Sequence, residues 1–485
     1  MNAPIRRVAV SVMVLFALLF INLNYVQFIK AGAYRTDPRN PRTLIQDFNR
    51  KRGQIVNADG QAIASVQQTS GKLKYLRTYP AGPLYAAVTG YDSVSYGKTG
   101  LEADQDPILS GDSDQLFVRR LSDLVTGRQP QGGNVIVTVK QKVQQAAFDG
   151  LAAQSQFRGA VVALDPRTGA ILAETSSPSF DPNQLSTHDS ASEKSAFTRL
   201  NSDETNSPLL NKALKESYPP GSTFKTIVSA AALANGFNPQ TKVPAGLQYV
   251  APGTSTPIKN DDGTACTGDP TTLLDALRVS CNTAYAHLGV TLGTDKIRKQ
   301  ANAFGFDADI SNDSIHAAQS KLGAIVDQPS LAQSSIGQRD VRMTPLQGAM
   351  IAGAVANNGT EMKPYLVSDV QGPDLLSLGK TSPSQYGQPM TPAVAQQLQQ
   401  MMQSVVSDGT GKKAQISGVT VGGKTGTAQN GDGKQDTVWF IGYAIDGGKP
   451  VAAVAVVLDQ AGGSSSVPTA IGGKVLQAAV EAARQ

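Results

Sequence analysis

Histidine, the commonest metal ligand and acid–base side chain, is scarce in this chain. Its 485 residues include three histidines, His188, His287 and His316. None stands in H-E-x-x-H or related ligand spacing, so a catalytic metal site and a Ser-His-Asp triad both lack material. No metal or other cofactor is expected, and any chemistry must come from other side chains. Two cysteines, Cys266 and Cys281, are too few for a disulfide scaffold. In an oxidising compartment they can close one loop of about 15 residues, which chain entropy values at about 3 kcal/mol. The alternative is two inert thiols. The net charge of +5 suits an anionic partner, but Lys and Arg are spread along the chain. No zinc-finger spacing or RNP-like aromatic run occurs, which excludes nucleic acid as the expected partner. No internal repeat is found. With 40% hydrophobic and 17% charged residues the chain reads as globular, and its length exceeds one usual domain.

Charge is also missing from Val8 to Ile29, and Val8 to Ile21 is almost wholly apolar behind Arg6 and Arg7. A helix of that length crosses roughly 30 Å of hydrocarbon. An uncleaved anchor over residues 1–29 is expected rather than a signal peptide. The polar-tinged stretch Asn22 to Lys30 separates the apolar run from the small residues Ala31-Gly32-Ala33 by more than a cleavage region usually spans. Lys30, Arg35, Arg39, Arg42, Arg50, Lys51 and Arg52 follow the helix, so the positive-inside count points the following chain toward the cytoplasm. The motifs below imply a substrate outside it, and that argument from function is given precedence.

Residues 30–155 are polar and turn-rich, with short strand-like runs at Gln54-Ile55-Val56 and Val135 to Val139 and a helical run near Gln141 to Ala153. They read as a small mixed domain. Residues 156–485 form the second unit. Gly159 to Asp165 and Ala170 to Glu174 flank the turn set Pro166-Arg167-Thr168-Gly169, which predicts a hairpin. Val438 to Tyr443 and Val451 to Leu458 predict two more strands, and Thr469 to Arg484 a terminal helix. Strands at both ends with helices between predict one antiparallel sheet with helices packed on it. Gln371 to Pro392, rich in Gly, Pro and Ser, reads as an exposed insertion.

Ser222 opens a segment with Phe224, Ile227, Val228 and Ala231 at helical spacing, closed by Gly236, so it is expected at a helix start. Lys225 follows at i+3, on the same face. A hydroxyl becomes a useful nucleophile when a base takes its proton, and a lysine can do so if burial or a nearby cation lowers its pKa. S-x-x-K alone is weak, because Ser95 to Lys98 and Ser377 to Lys380 match it in turn-rich sequence. A lone Ser280-Cys281-Asn282 is usually a helix cap, and the triplet of Lys424-Thr425-Gly426 recurs at Lys98-Thr99-Gly100. In order, with S-x-x-K on a helix and K-T-G before a late strand, the three make a strong constellation.

These elements resemble the penicilloyl-serine transferase superfamily, specifically the class B penicillin-binding proteins. Arg52-Gly53-Gln54-Ile55 resembles that family's juxtamembrane box, and Gly97 to Glu102 a small-domain box. Ser335-Ile336-Gly337-Gln338 and Thr344-Pro345-Leu346-Gln347 resemble the stretch before K-T-G. Two departures concern subgroup rather than chemistry: Asn57-Ala58-Asp59-Gly60 lacks the usual Asp-Arg pair, and Cys281 fills a variable slot. The Tyr-Pro-Pro-Gly-Ser-Thr-Phe-Lys and Ser-Cys-Asn runs narrow the likeness to an actinobacterial subgroup.

The resemblance implies a mixed α/β fold. Its parts are a central antiparallel five-stranded sheet flanked by helices, an all-helical subregion, a small N-terminal domain and one transmembrane helix. It implies D,D-transpeptidation of peptidoglycan stem peptides ending in D-Ala-D-Ala, inhibition by β-lactams, and partners in wall synthesis or division. By the same resemblance Ser222 is the nucleophile and Lys225 the acylation base. Ser280 relays a proton, Asn282 binds the substrate's amide carbonyl and Lys424 supplies positive charge. Thr425 and Thr427 hold the terminal carboxylate, Gly426 admits close approach, and the Ser222 and Thr427 N–H groups form an oxyanion hole. A D,D-carboxypeptidase, and a non-enzymatic β-lactam sensor or division scaffold, remain as alternative readings.

Overall fold

A computed structural model describes residues 2–31, 34, 41–203, 206–261, 263–431 and 433–485. Gly32, Ala33, Arg35 and Arg39 lie outside the described residues. Helix α1 (Asn2–Asn24) runs on through a π-helical turn at Tyr25–Ile29. The stretch Ala3–Ile29 is long and apolar enough to cross a membrane, with a mean hydropathy of 2.1 and none of its most apolar part buried.

The early strands include β1 (Ile55–Val56), β2 (Ala62–Gln68), β3 (Tyr75–Thr78) and β4 (Asn134–Val137), followed by α2 (Gln141–Ala152). The expected hairpin is β5 (Arg158–Leu164) with β6 (Ile171–Ser177). The helical middle includes α3 (Lys225–Ala234), α4 (Asn282–Leu292) and α5 (Pro345–Ala356). Then come β7 (Val367–Gln371), β8 (Ser377–Lys380) and α6 (Pro392–Asp408). The chain closes with β9 (Thr420–Ala428), β10 (Thr437–Asp446), β11 (Lys449–Asp459) and α7 (Ser466–Arg484).

The larger unit is built on a five-stranded antiparallel sheet in the order β9-β10-β11-β5-β6, as expected. Because side chains alternate along a strand, β10 feeds two cores. Trp439, Ile441 and Tyr443 pack with Phe224, Ile227 and the α5 and α6 side chains on one face, while Val438, Phe440 and Ala444 pack with α2 and α7 on the other. Both faces being covered explains why β10 and β11 read as continuous apolar runs. Helix α2, placed by sequence at the end of the N-terminal domain, packs into the second core through Val143, Ala147 and Leu151.

A second sheet runs β8-β7-β4-β1-β2-β3. Here the expectation of an exposed insertion at Gln371 to Pro392 is met in its exposure, and what the sequence did not show is the pairing of β8 within it. The segment is largely exposed, yet it is not a free insertion, since β7 pairs with β4 and β8 extends the edge. An edge strand needs no apolar face, so composition concealed it.

The two sequence boxes near the N-terminus meet in this region. Arg52 Nε donates to Glu102 Oε2 at 2.7 Å, and Arg77 Nε donates to Glu102 Oε1 at 2.6 Å. Tyr79 Oη donates to the same carboxylate at 3.2 Å. Burial alone would push the fully enclosed Glu102 carboxyl up; the two guanidiniums outweigh it and hold it below its ordinary value. Asn57, in place of the expected Asp-Arg pair, forms its own turn by accepting from Asp59 N and Gln61 N.

Glu102→Ala would take from the buried Arg77 the carboxylate it pairs with and leave Arg52 to Asp92 and Asp106 alone, and breaking a buried pair in this way costs about 3–5 kcal/mol. Thermal unfolding should show a clearly lowered transition for Glu102→Ala and a smaller loss for Glu102→Gln. An unchanged transition in Glu102→Ala would show that the boxes do not depend on this contact.

Candidate active site

Pro219 and Pro220 fix the chain as it enters the turn that carries Ser222, and Gly221 takes φ 51°, a left-handed conformation suited to glycine. Residues Gly221–Phe224 form a single 3₁₀ turn that leads into α3. Ser222 therefore stands at a helix start, as expected, with the first turn tightened. Three backbones touch here. A Cβ on Gly221 would lie 2.2 Å from Thr427 O, and one on Gly426 would lie 2.7 Å from Pro220 O. Gly221 N donates to Gly337 O at 3.0 Å, and Trp439 Nε1 donates to Pro219 O at 2.9 Å. Glycine at 221 and 426 is thus what lets β9 lie directly against the turn.

Ser280 is positioned by a helix end. After the short helix Leu273–Arg278, Ser280 N donates to Leu277 O and Cys281 N to Ala276 O. This is the two-bond Schellman closure, whose left-handed position glycine usually fills. Here it is filled by Ser280, at φ 64°. A non-glycine residue held there costs on the order of 1–3 kcal/mol, and such strain tends to collect at functional sites. The result is a serine turned toward two lysines. Lys225 Nζ donates to Ser280 O at 2.7 Å and to Asn282 Oδ1 at 2.6 Å, and lies 3.4 Å from Ser280 Oγ. Lys424 Nζ donates to Ser280 Oγ and to Thr425 O, both at 2.9 Å.

Both amines are fully enclosed. Burial, reinforced by the charge of Lys424, holds Lys225 well below the usual lysine value. Burial pushes Lys424 down to about 7, and the nearby Asp261 carboxylate opposes the depression at both sites. The repulsion between the two amines is mutual, so once one of them is neutral the other keeps its proton more readily.

A cleft of about 430 Å³ opens above these groups, lined by Ser222, Asp261, Ser280, Thr425, Gly426 and Thr427. Strand β9 is the sheet's edge, so its outer backbone groups are open to an extended ligand. Thr410 Oγ1 and Thr425 Oγ1 lie 2.6 Å apart. Cys266 and Cys281 are joined by a disulfide along one wall. Asn282 opens α4; its Nδ2 donates to Lys259 O at 3.2 Å and Asp261 Oδ1 at 2.8 Å.

The eight residues singled out in the three motifs come together around this cleft, and the look-alikes do not. Ser95 Oγ donates to Glu193, Lys98 pairs with Asp106 at 2.9 Å, and Ser377 to Lys380 is strand β8. Sequence reasoning missed Asn260, Asp261 and Thr410. Asn260 Oδ1 accepts from Asn282 N and Thr283 N, capping α4 from a distance. These three stand in polar, turn-rich stretches without period or motif, and only the fold brings them to the cleft.

Residues 159–477 match the penicillin binding protein transpeptidase domain, and residues 52–135 the penicillin binding protein A dimerisation domain. The chain is 45% identical to the peptidoglycan D,D-transpeptidase PbpA of Mycolicibacterium smegmatis, over 95% of this chain and 94% of that one. It is 42% identical to PbpA of Mycobacterium tuberculosis, over 100% and 99%. Its structure matches the imipenem acyl-enzyme complex of penicillin-binding protein A from M. tuberculosis with a TM-score of 0.86 and 41% identity, covering 90% of this chain and 100% of that one. With its catalytic unit matched from the first sheet strand to the last helix, this chain belongs to the penicillin-binding protein transpeptidase family.

Proposed function

We propose that this protein is a membrane-anchored peptidoglycan D,D-transpeptidase that forms an acyl-enzyme through Ser222 with stem peptides ending in D-Ala-D-Ala, and that β-lactams acylate the same serine. The observation that carries this reading is the pair of enclosed lysines sharing Ser280 beside Ser222. As a neutral amine, Lys225 has two N–H groups, and Ser280 O and Asn282 Oδ1 take both. Its lone pair is left for a proton. Ser222 Oγ attacks the carbonyl carbon of the penultimate D-Ala while Lys225 accepts the hydroxyl proton. The backbone N–H groups of Ser222 and Thr427 stabilise the oxyanion, a contribution of some 3 to 4 kcal/mol per donor. Collapse breaks the peptide bond, and the departing D-Ala nitrogen takes a proton relayed through Ser280. Thr425, Thr427 and protonated Lys424 hold the terminal carboxylate, and Gly426 allows the peptide to lie along β9. An acceptor amine then attacks the ester and returns Ser222.

In the same reading residues 1–29 are the cytoplasmic tail and a single-pass anchor, with the rest outside the cytoplasm. Residues 30–155 serve as a non-catalytic pedestal, of which α2 is tied to the catalytic sheet. Residues 156–485 form the transpeptidase domain. Proteins of wall synthesis or division are its partners.

Fluorescent penicillin should label the wild type and leave Ser222→Ala unlabelled. Lys225→Ala should slow single-turnover acylation about 10² to 10⁴-fold, more than Ser280→Ala does. Persistent stoichiometric labelling of Ser222→Ala would refute the nucleophile, and near-normal rates in Lys225→Ala would move the base elsewhere. With stem-peptide donor and an amine acceptor, cross-linked product is expected; free acid alone at every acceptor concentration would make the enzyme a carboxypeptidase.

The lysine pair also sets a pH dependence. The Lys424 charge is present below about 7 and lost above it. Acylation by a ligand carrying a carboxylate should therefore fall as pH rises through that value, and be lost on the acid side only where Lys225 becomes protonated. Lys424→Arg should move the basic limb upward. A flat profile from pH 6 to 9 in the wild type would contradict this assignment.

A further inference from the structure

One charged group in the cleft is unused by this mechanism. Asp261 lines the cleft together with Ser222, Ser280, Thr425 and Thr427, and its carboxylate occupies the place where Asn282 is expected to meet a ligand. Both hydrogens of the Asn282 amide are taken, one by Lys259 O at 3.2 Å and one by Asp261 Oδ1 at 2.8 Å. The Asn282 oxygen is engaged by Lys225. A ligand carbonyl can reach this amide only by displacing one of its two acceptors.

The two differ in freedom to move. Lys259 O belongs to backbone in the strand pair Ile258–Lys259 with Gln248–Tyr249. Asp261 follows in a turn, is exposed, and contributes only a side chain. Asp261 is therefore the acceptor that gives way. It cannot go far, because the backbone on each side is anchored to the site. Asn260 donates to Gly246 O and Thr264 O and accepts from the first turn of α4, and Cys266 is bonded to Cys281. After rotation the carboxylate still stands beside the group attached to the incoming carbonyl.

We propose that Asp261 is a specificity-determining residue. It guards the Asn282 amide until a ligand arrives and, once displaced, favours acyl donors bearing a positive charge next to the carbonyl that Asn282 receives over donors bearing a negative one there. The inference rests on the reading of Asn282 as a carbonyl-binding residue. Asp261 remains a few ångströms from that position, so exchanging ammonium for carboxylate on the ligand changes the interaction on the order of 10-fold in a solvent-like dielectric. Salt should diminish it.

The test uses three penicillins that differ only at the side-chain α-carbon, which carries a hydrogen, an ammonium or a carboxylate. Second-order acylation rates are measured on the full-length wild type, Asp261→Asn and Asp261→Ala, at low and at raised ionic strength. The ammonium-to-carboxylate rate ratio should fall on the order of 10-fold in both variants at low salt, and less at high salt. Asp261→Ala, which frees one of the two Asn282 amide hydrogens, should also acylate faster with the uncharged penicillin. A merely structural role would slow all three ligands together and leave their ratio unchanged. An unchanged ratio, or a shift in Asp261→Ala without one in Asp261→Asn, overturns the inference while the transpeptidase reading stands. If none of the three acylates the wild type, the transpeptidase reading falls and this inference falls with it.

Discussion

Two amines that share one hydroxyl and are shut away from water cannot both hold a proton without a large penalty, and the rest of this site is arranged around that fact. Lys225 and Lys424 both reach Ser280 Oγ, at 3.4 and 2.9 Å. Burial lowers both, and the charge of one lowers the other further. The outcome is a division of labour between residues of the same type. In the proposed reading Lys225 is the base one turn from Ser222, and Lys424 the cation that meets a carboxylate. No histidine is required, which resolves the puzzle set by a sequence with so few.

Keeping the amines enclosed demands close backbone contacts. The turn that carries Ser222 lies against β9 because residues 221 and 426 have no Cβ, and Trp439 ties the turn to β10 through Pro219 O. Ser280 closes a helix in a conformation better suited to glycine, and its hydroxyl is the group to which Lys424 donates. Far from the cleft, the Glu102 network does for the N-terminal sheet what the lysine pair does for the site. In both places buried charge is tolerated only where partners surround it.

Much of this was legible in the linear sequence, for a physical reason. Lys424 to Thr427 are found by their motif and lie on β9 itself rather than before a strand, the place the sequence suggests, whereas Ser222 and Lys225 are one helical turn apart, so local periodicity carries that information. The same holds for β10, β11 and α7, whose apolar patterns match the packed faces. What stayed hidden depends on contacts distant in sequence. The left-handed backbone of Ser280 follows from its helix closure, not from its residue type. Asp261 reaches Asn282 across 21 residues, and β7 joins a sheet begun some three hundred residues earlier. A Gly- and Pro-rich composition made Gln371 to Pro392 read as loose chain, although its backbone hydrogen bonds extend a sheet.

The protonation states of the two lysines test the central claim most directly. In protein labelled with ¹³C at lysine Cε, the Lys225 and Lys424 resonances can be assigned with Lys225→Arg and Lys424→Arg and followed with pH. Lys225 should remain a neutral amine far below the ordinary lysine transition, and Lys424 should titrate near 7. If both stay protonated up to the usual value of about 10.4, Lys225 cannot serve as the base, and the division of labour on which the site's chemistry rests is wrong.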